Sequence, residues 1–277
     1  MEKRPALRIA LVQTDLHWQD KTANLAENKK AEPQKEAILE EKIWSLKNSC
    51  DLIVLPEMFP TGFSMNSASL AEPMNLQVHK WMKQLAAQTG AVITGSAIIS
   101  EGEKYYNRLL WVPPTGTTQY YDKRHLFRMA QEDASFAAGE ILPVFELKGW
   151  KICPQICYDL RFPVWSRNRW TDGKAAYDLL FYVASWPAAR ISAWDALLPA
   201  RAIENLSYCL GVNRVGVDGN QIAYNGHSAA YDFKGETLVN LEEQEQIQVI
   251  HLDYTALEEY RSKFPAWKDA DPFTVNS

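Results

Sequence analysis

The sequence predicts an α/β fold, a single layered domain in which two sheets face each other and helices lie on the outside. Three observations support this prediction. Continuous apolar runs, such as residues 52–55 and 179–184, are typical of strands that are buried on both faces. Short turns between neighbouring strands, as at residues 113–116, indicate hairpins in the same sheets. Amphipathic helical segments would supply the outer layers.

The predicted strands are short apolar runs bounded by turn residues. Pro56 stops one of them, and the Pro-Pro-Thr-Gly turn at 113–116 joins two others. The full set is 7–13, 52–55, 91–100, 108–112, 117–122, 144–147, 150–156, 179–184, 207–212, 229–233, 236–240 and 246–252. No repeat or Gly/Ser linker divides the chain, so we expect one domain over residues 1–277, with a core at about 7–265 and a C-terminal tail at 266–277.

Helices are predicted where apolar residues recur three and four positions apart. A helix over residues 21–48 places Leu39, Ile43 and Leu46 on one face, and Pro33 predicts a kink or a new start within it. The remaining segments are a helix at 76–89 with Gly90 at its C-cap, a helix at 189–205 with a kink near Pro199, and an irregular loop at 60–75.

Composition argues against several classes of protein. The 29 basic and 34 acidic residues give a net charge of −5, unlike the basic footprint of a nucleic-acid-binding protein. No apolar run approaches the ~18 residues of a membrane span, and the N-terminus lacks the apolar region of a signal peptide. We therefore expect neither a nucleic-acid nor a membrane partner. The four cysteines show no paired spacing, which favours a reduced, cytoplasmic protein.

No cofactor motif is recognisable. The P-loop and the Gly-x-Gly-x-x-Gly turn are absent, and the five histidines lack metal-ligand spacing such as H-E-x-x-H. The sequence therefore predicts no metal and no cofactor. A serine nucleophile is also disfavoured, because neither 62–64 nor 226–230 completes a Gly-x-Ser-x-Gly motif.

Residues 150–163 are predicted to form a buried strand that ends in a polar turn. Cys157 stands where the apolar run stops, at the carboxyl end of the strand, where layered α/β folds bind ligands. Pro163 favours the first turn of a following helix. Exposed N–H groups at such a helix start would favour a thiolate at Cys157. A buried structural cysteine is the alternative, since free cysteines are often buried.

Two other ionisable side chains also follow strands. Glu57 comes after residues 52–55, and Lys123 comes after residues 117–122. Strand ends of this kind can converge on one edge of a sandwich, so we expect Glu57, Lys123 and Cys157 to meet. Taken singly, Glu57 has the alternative of a solvated residue, and Lys123 that of a surface charge cluster.

Together, these three groups suit acyl transfer. The cysteine would be the nucleophile, and a glutamate in a dry pocket would take its proton as general base. Lysine is a poor base at neutral pH, but its positive charge suits a tetrahedral oxyanion. A backbone N–H near Tyr158 would be a second donor to that oxyanion.

At these residues the sequence resembles the nitrilase superfamily of carbon–nitrogen hydrolases. The resemblance covers nearly the whole chain, in the family's order from Leu7 to about Pro265. The matching segments are Leu-Ile-Val-Leu-Pro-Glu at 52–57, Tyr-Asp-Lys-Arg-His-Leu-Phe at 121–127, Ile-Cys-Tyr-Asp-Leu-Arg-Phe-Pro at 156–163, Arg-Ala-Ile-Glu-Asn at 201–205, Gly-His-Ser at 226–228 and the Gly-Glu turn at 235–236.

The resemblance implies a four-layer α-β-β-α sandwich, at least dimeric, with a catalytic Glu57, Lys123 and Cys157. It also implies a second acidic residue after the lysine. Glu132 matches that residue best, and Asp133 remains an alternative, because the spacing from Lys123 is short. Some of the tryptophans outside the predicted strands are expected to line a subunit interface, with ordinary core packing as the alternative: Trp165, Trp170, Trp194 and Trp267.

Within the family, the segment after Cys157 looks like the amidase branches. Gly-Phe-Ser-Met at 62–65 together with the segment at 121–127 is most similar to omega-amidases, which hydrolyse the terminal amide of 2-oxo acids. The resemblance further implies that Arg161 binds the substrate carboxylate, with Tyr158, Phe63 and Trp186 lining the pocket. For Arg161, the structural alternative is a salt bridge with Asp159 or another acid that holds the loop.

Two alternative functions stay open from the sequence. One is an amidase acting on deaminated glutathione, or another hydrolase of the same superfamily. The other is a non-catalytic binding or scaffold protein of the same fold, against which the complete Glu-Lys-Cys set argues.

Overall fold

Two six-stranded sheets form the centre of the computed structural model, which describes residues 4–25 and 39–274. The strands are β1 (Leu7–Gln13), β2 (Leu52–Val54), β3 (Val92–Glu101), β4 (Lys104–Val112), β5 (Gln119–Asp122), β6 (Phe145–Leu147), β7 (Trp150–Ile156), β8 (Trp170–Thr171), β9 (Lys174–Ala175), β10 (Leu179–Ala184), β11 (Tyr208–Asn213), β12 (Val215–Val217), β13 (Ala223–Asn225), β14 (Ala229–Tyr231), β15 (Thr237–Asn240) and β16 (Gln246–Leu252). The α-helices are α1 (Lys21–Leu25), α2 (Leu39–Trp44), α3 (Ser67–Leu70), α4 (Gln77–Thr89), α5 (Glu132–Ser135), α6 (Pro163–Ser166), α7 (Ile191–Asn205) and α8 (Tyr254–Lys263).

The two sheets mix parallel and antiparallel strands. The first has the order β16-β1-β2-β3-β4-β5, and the second has the order β15-β14-β11-β10-β7-β6. In the first sheet, β1, β2 and β3 are parallel; in the second, β7, β10 and β11 are parallel. Neighbouring strands therefore fix the carboxyl ends of β2 and β7. Two of the predicted site residues, Glu57 and Cys157, follow these ends.

The side chains of β1 alternate between two hydrophobic cores, and this alternation shows how the layers are arranged. Ile9 and Leu11 pack into a core shared with the second sheet, whereas Ala10 and Val12 face a second core that contains Ile43 of α2 and Met82 of α4. Burying a side chain such as Met82 contributes about 1.5–3 kcal/mol.

Helices α7 and α8 cover the other side of the second sheet. Trp194, Leu198 and Leu257 are fully buried within the core that includes this sheet. The order is thus helices, sheet, sheet, helices, and the predicted four-layer α-β-β-α sandwich is confirmed.

Several predicted boundaries differ from the structure. The helix predicted at 21–48 is present in the described residues as α1 and α2, and the predicted kink at Pro33 lies outside those residues. The loop at 60–75 contains the short helix α3. Helix α8 was not predicted, although Asp253 caps it by accepting from the N–H groups of Thr255 and Ala256.

The tryptophans predicted at a subunit interface have neighbours within the chain. Trp194 is completely buried, so its assignment to an interface is wrong. Trp170 and Trp267 stack on each other with ring centroids 4.6 Å apart, which ties the C-terminal segment to the β8–β9 hairpin. Trp165 donates to the hydroxyl of Tyr121 at 3.1 Å.

Candidate active site

Three of the predicted residues meet where strands of both sheets end. Glu57 and Lys123 follow β2 and β5 of the first sheet, and Cys157 follows β7 of the second. Lys123 Nζ donates to Glu57 Oε1 at 2.8 Å, and the two side chains are only 1% and 0% exposed. The solvated alternative for Glu57 and the surface alternative for Lys123 are therefore wrong. Cys157 lines the same cavity as Lys123, and the charges of Glu57 and Lys123 both act on the pKa of its thiol.

The backbone turns sharply at Cys157. Its φ of 45° lies in the left-handed region, which residues with a side chain seldom adopt. Strand β7 ends at Ile156, and a 3₁₀ helix begins at once over Cys157–Arg161. This turn presents the sulfur to the cavity, although the residue is only 8% exposed. Backbone strain of this kind is concentrated at functional sites.

A buried carboxylate holds this turn in place. Asp159 accepts a hydrogen bond from the N–H of Ile156 at 3.0 Å, from the hydroxyl of Tyr121 at 2.7 Å and from the N–H of His125 at 3.0 Å. Tyr121 and His125 flank Lys123 in the sequence. Asp159 therefore fixes the turn that carries Cys157 against the segment that carries Lys123. The alternative of a salt bridge between Arg161 and Asp159 is wrong, because these other donors occupy the carboxylate.

Both oxygens of Glu57 have fixed partners. Oε1 accepts from Lys123 and, at 2.8 Å, from the side-chain amide of Asn107. Oε2 accepts from the N–H of Ser185 at 2.8 Å. Because Ser185 follows β10, the second sheet orients a carboxylate that the first sheet supplies. Asn107 and Ser185 were not predicted from the sequence, since a polar residue within or just after an apolar strand has no distinctive spacing.

The structure brings Glu132, and not Asp133, to the lysine. Glu132 is fully buried, and its two oxygens lie 3.0 and 2.9 Å from Lys123 Nζ. Its carboxylate also accepts from the N–H of Phe127 at 2.6 Å. Asp133 is exposed and lies 3.7 Å from Arg128. Glu132 is therefore positioned to act on the centre, and Asp133 is not.

The electrostatics of the centre favour a protonated thiol in the resting state. Burial raises the pKa of Cys157 well above its ordinary value, and the negative charge of Glu57 adds to the increase, while Lys123 opposes it. The expectation of a thiolate favoured by a helix start is therefore wrong. The helix at Cys157 is a single short 3₁₀ segment, and burial and the adjacent carboxylate outweigh its N–H groups.

Lys123 remains charged for the complementary reason. Burial alone would lower its pKa, but the carboxylates of Glu132 and Glu57 outweigh burial and raise it. Burial also raises the pKa of Glu132, although Lys123 opposes this. The centre is thus a neutral thiol beside a buried ammonium that two carboxyl groups share.

A cavity of about 530 Å³ opens above the thiol. Cys157 and Lys123 lie in its wall, together with all four predicted substrate-binding residues: Phe63, Tyr158, Arg161 and Trp186. The guanidinium of Arg161 lies over the Trp186 ring, with Cζ 4.9 Å from its centroid. The wall also contains residues that were not predicted, among them Trp18, Met129, Arg190, Asp218 and Tyr224.

This arrangement supplies what acyl transfer needs: a thiol, a carboxylate beside it to take its proton, and a fixed cation near a developing oxyanion. The N–H of Tyr158 belongs to the first turn of the 3₁₀ helix, where N–H groups have no partner within the helix. Among residues 4–25 and 39–274, no cluster of three or more His, Cys, Asp or Glu side chains is arranged to hold a metal ion. None of the helices in these two ranges is long and apolar enough to cross a membrane.

Comparison with known proteins gives a consistent result. The model of the carbon-nitrogen hydrolase family matches residues 8–262. The chain is 46% identical to omega-amidase YafV of Escherichia coli K12 over 98% of this chain and 99% of that protein. It is 34% identical to the 2-oxoglutaramate amidase of Bacillus subtilis 168, over 79% of this chain and 84% of that protein. The structure of XC1258 from Xanthomonas campestris, described as a CN-hydrolase superfamily protein with an arsenic adduct in the active site, superposes with a TM-score of 0.90. It is 43% identical, over 98% of this chain and 100% of that one.

Proposed function

This chain belongs to the carbon–nitrogen hydrolase family, and from that premise we propose that it is an omega-amidase. It hydrolyses a carbon–nitrogen bond other than a peptide bond, namely the terminal amide of a small carboxylate-bearing substrate, and it releases ammonia. The substrates that fit this proposal best are 2-oxoglutaramate and 2-oxosuccinamate. The observation that carries the proposal is the 46% identity to an omega-amidase over 98% of the chain.

The proposed reaction has two halves. In the first, Cys157 Sγ attacks the amide carbonyl carbon while Glu57 takes the thiol proton. The tetrahedral oxyanion is stabilised by Lys123 and the N–H of Tyr158. Collapse of this intermediate breaks the carbon–nitrogen bond, and Glu57 returns the proton so that ammonia leaves. In the second half, Glu57 takes a proton from water, the resulting hydroxyl adds to the thioester, and the carboxylic acid and the free thiol are formed.

The raised pKa of Cys157 supports this assignment of roles, because a neutral thiol needs a base at the moment of attack. Glu132 would hold Lys123 in place and balance part of its charge, as its two short contacts indicate. Arg161 would bind the substrate carboxylate, with Phe63, Tyr158 and Trp186 packing around the carbon chain of the substrate.

The activity is tested by measuring ammonia release from a panel of amides, nitriles and ureido acids. We expect 2-oxosuccinamate and 2-oxoglutaramate to be the best substrates. Faster turnover of deaminated glutathione would favour the alternative amidase, and no turnover of any compound would favour the scaffold alternative.

The nucleophile is tested with Cys157→Ala. This variant should lose turnover and keep the thermal stability of the wild type. Rapid quench of the wild type during turnover should show an acyl adduct on the peptide that contains Cys157. Turnover of the alanine variant near the wild-type rate would refute the thioester mechanism.

We also propose a cytoplasmic homodimer that contains one domain per chain. The pairing of β1 with β16 supports one domain, because it joins the two ends of the fold. Two exposed apolar side chains support the dimer: Val164 of α6 is 56% exposed and Ile203 of α7 is 52% exposed. The two helices are adjacent, since Arg167 Nη1 donates to the carbonyl of Glu204 at 2.8 Å. The four unpaired cysteines fit a reducing compartment.

Light scattering should give a dimer mass for the wild type and a monomer mass for Ile203→Glu. A monomeric wild type at micromolar concentration would contradict the proposed assembly. Cell fractionation tests the proposed location.

A further inference from the structure

Besides Arg161, a second arginine faces the substrate cavity. Arg190 lies in its wall, and its guanidinium Cζ is 5.5 Å from the centroid of the Phe127 ring. Its Nη2 lies 3.0 Å from the sulfur of Met129, a residue that is 75% exposed. Sulfur is a weak acceptor, so a substrate oxygen could replace this contact at little cost.

Neither arginine is neutralised by the protein. Within residues 4–25 and 39–274, no carboxylate forms an ion pair with Arg161 or Arg190, whose neighbours are aromatic rings and one sulfur. Both guanidinium groups are half-buried and still keep their capacity to pair with an anion. The missing anion at this cavity is therefore expected to come from the substrate.

The backbone of Arg190 is fixed. Its N–H donates to the carbonyl of Pro187 at 2.9 Å, and its carbonyl accepts from Trp186 Nε1 at 2.9 Å. The same Trp186 ring lies under Arg161, so one aromatic side chain connects the positions of both arginines. Both arginines therefore enter the cavity wall from positions that contact Trp186, Arg161 through its guanidinium group and Arg190 through its backbone carbonyl.

The rest of the wall carries one negative charge that could attract a cation. In the described part of the chain, the acidic residue that lines the cavity is Asp218, and its oxygens are already engaged. Oδ1 accepts from the N–H groups of Asn220 and Ile222 at 2.8 and 3.0 Å, and Oδ2 accepts from the hydroxyl of Tyr224 at 3.0 Å. Arg161 and Arg190 thus carry two positive charges against the one negative charge of Asp218, so this wall keeps an excess of positive charge.

We propose that Arg190 is a second specificity-determining residue, which together with Arg161 selects amides whose far end is a 2-oxo acid and rejects those whose far end carries an ammonium group. This inference rests on the proposed omega-amidase function. Glutamine and asparagine have the same terminal amide as 2-oxoglutaramate and 2-oxosuccinamate, and they differ at the carbon next to the carboxylate. There, an ammonium replaces an uncharged oxo group. Its repulsion by two nearby guanidinium groups would discriminate between substrates of nearly equal size.

The proposal is tested with Arg190→Gln, which keeps hydrogen-bond donors and removes the charge. Three amides are compared: 2-oxosuccinamate, asparagine and the uncharged butyramide. We expect kcat/KM for 2-oxosuccinamate to fall roughly 10- to 150-fold, mainly through KM, as for loss of a charge-assisted hydrogen bond. The slow hydrolysis of butyramide should stay unchanged. In Arg190→Gln, the ratio of kcat/KM for 2-oxosuccinamate to kcat/KM for asparagine should become smaller. Arg190→Lys keeps the positive charge and should preserve this ratio.

Arg128→Gln is the matched control. Arg128 carries the same charge in the neighbouring segment, but it does not line the cavity, and its side chain is 86% exposed. This control should change none of the three rates. Thermal unfolding and the rate of Cys157 alkylation report whether Arg190→Gln keeps the fold and the centre.

Three outcomes would overturn the inference. An equal loss on all three amides would mean that Arg190 only holds the site together. An unchanged preference between 2-oxosuccinamate and asparagine would mean that Arg190 does not discriminate between these substrates. If the wild type hydrolysed neither 2-oxosuccinamate nor 2-oxoglutaramate, the proposed function would fail as well, so the wild-type rates separate the two failures.

Discussion

The side-chain amide of Asn107 donates to Glu57 Oε1 at 2.8 Å, and the same nitrogen lies 3.2 Å from Glu132 Oε1. Asn107 thus holds the two carboxylates at a fixed spacing around Lys123. It is a positioning residue, since it acts through Glu57 and not on the substrate. No sequence motif pointed to it, and its importance follows from the geometry alone.

Replacing Asn107 by Asp keeps the shape but removes the donor and adds a third carboxyl group beside one ammonium. We expect kcat to fall roughly 10- to 150-fold, as for loss of a charge-assisted hydrogen bond. The added negative charge raises the pKa of its neighbours, so the acidic limb of the kcat/KM profile should move to higher pH. Full pH–rate profiles check this. A lower rate with an unshifted acidic limb would indicate a packing role only.

Alkylation of Cys157 should report its raised pKa. Because burial and Glu57 both raise it, the rate of reaction with iodoacetamide should rise at a pH above that of a free cysteine. Glu57→Gln removes one of the two causes, so its alkylation profile should move to lower pH while turnover is lost. Peptide mapping by mass spectrometry isolates Cys157 from the other three buried cysteines. A Glu57→Gln profile that moved upward would contradict the assigned electrostatics.

Lys123→Met should lower activity and also stability. Loss of an oxyanion donor typically costs ~10²–10³ in rate. Removing one partner from buried ion pairs typically costs about 3–5 kcal/mol, because Glu57 and Glu132 lose their counter-ion.

The stability loss should depend on pH. Burial already raises the pKa of Glu132, and without Lys123 the charge that most opposes this increase is gone, which leaves mainly the N–H of Phe127 to oppose it. A carboxyl with a raised folded-state pKa binds more protons folded than unfolded, so the variant should lose stability as pH rises through that pKa and regain it on acidification. Thermal unfolding at pH 5.5 and 7.5 tests this, with the exposed Lys47→Met as control. If Lys123→Met lost the same amount of thermal stability at both pH values, the raised pKa of Glu132 would not explain the loss.

Arg161→Lys should separate carboxylate recognition from structural support. Guanidinium presents two parallel donors to a carboxylate, whereas an ammonium does not. We expect kcat/KM on 2-oxosuccinamate to fall roughly 10- to 150-fold. Hydrolysis of butyramide and alkylation of Cys157 should hardly change. An equal loss on both amides would show that Arg161 maintains the site and does not bind the carboxylate.

The order of layers and most strands could be predicted because their signal is local. β1, β7, β10 and β16 have the bounds that apolar continuity or alternation predicts, within one or two residues. Helix α8 was missed because it has few fully buried apolar residues, and Leu257 is one of them. The short strands β8, β9, β12 and β13 are two or three residues long, which leaves no hydrophobic period to detect.

The candidate site likewise contains residues that the sequence predicts and residues that it does not. Glu57, Lys123 and Cys157 were predicted to meet because each directly follows a strand, and the structure brings them together. The partners that orient them were not predicted. Asp159 and Ser185 act through contacts far apart in the chain, and such contacts depend on how the two sheets pack rather than on spacing in the sequence.

The pairing of β1 with β16 has a consequence for synthesis of the chain. Leu7 lies opposite Leu252 and Gln13 lies opposite Gln246, so β1 pairs with a strand that is synthesised much later. Until β16 emerges, β1 has an unpaired apolar edge, and folding that depends on such distant pairing is slow. Nascent chains that stop before residue 246 would keep this edge open and associate through it. A chaperone that shields β1 during translation would therefore raise the yield of folded protein.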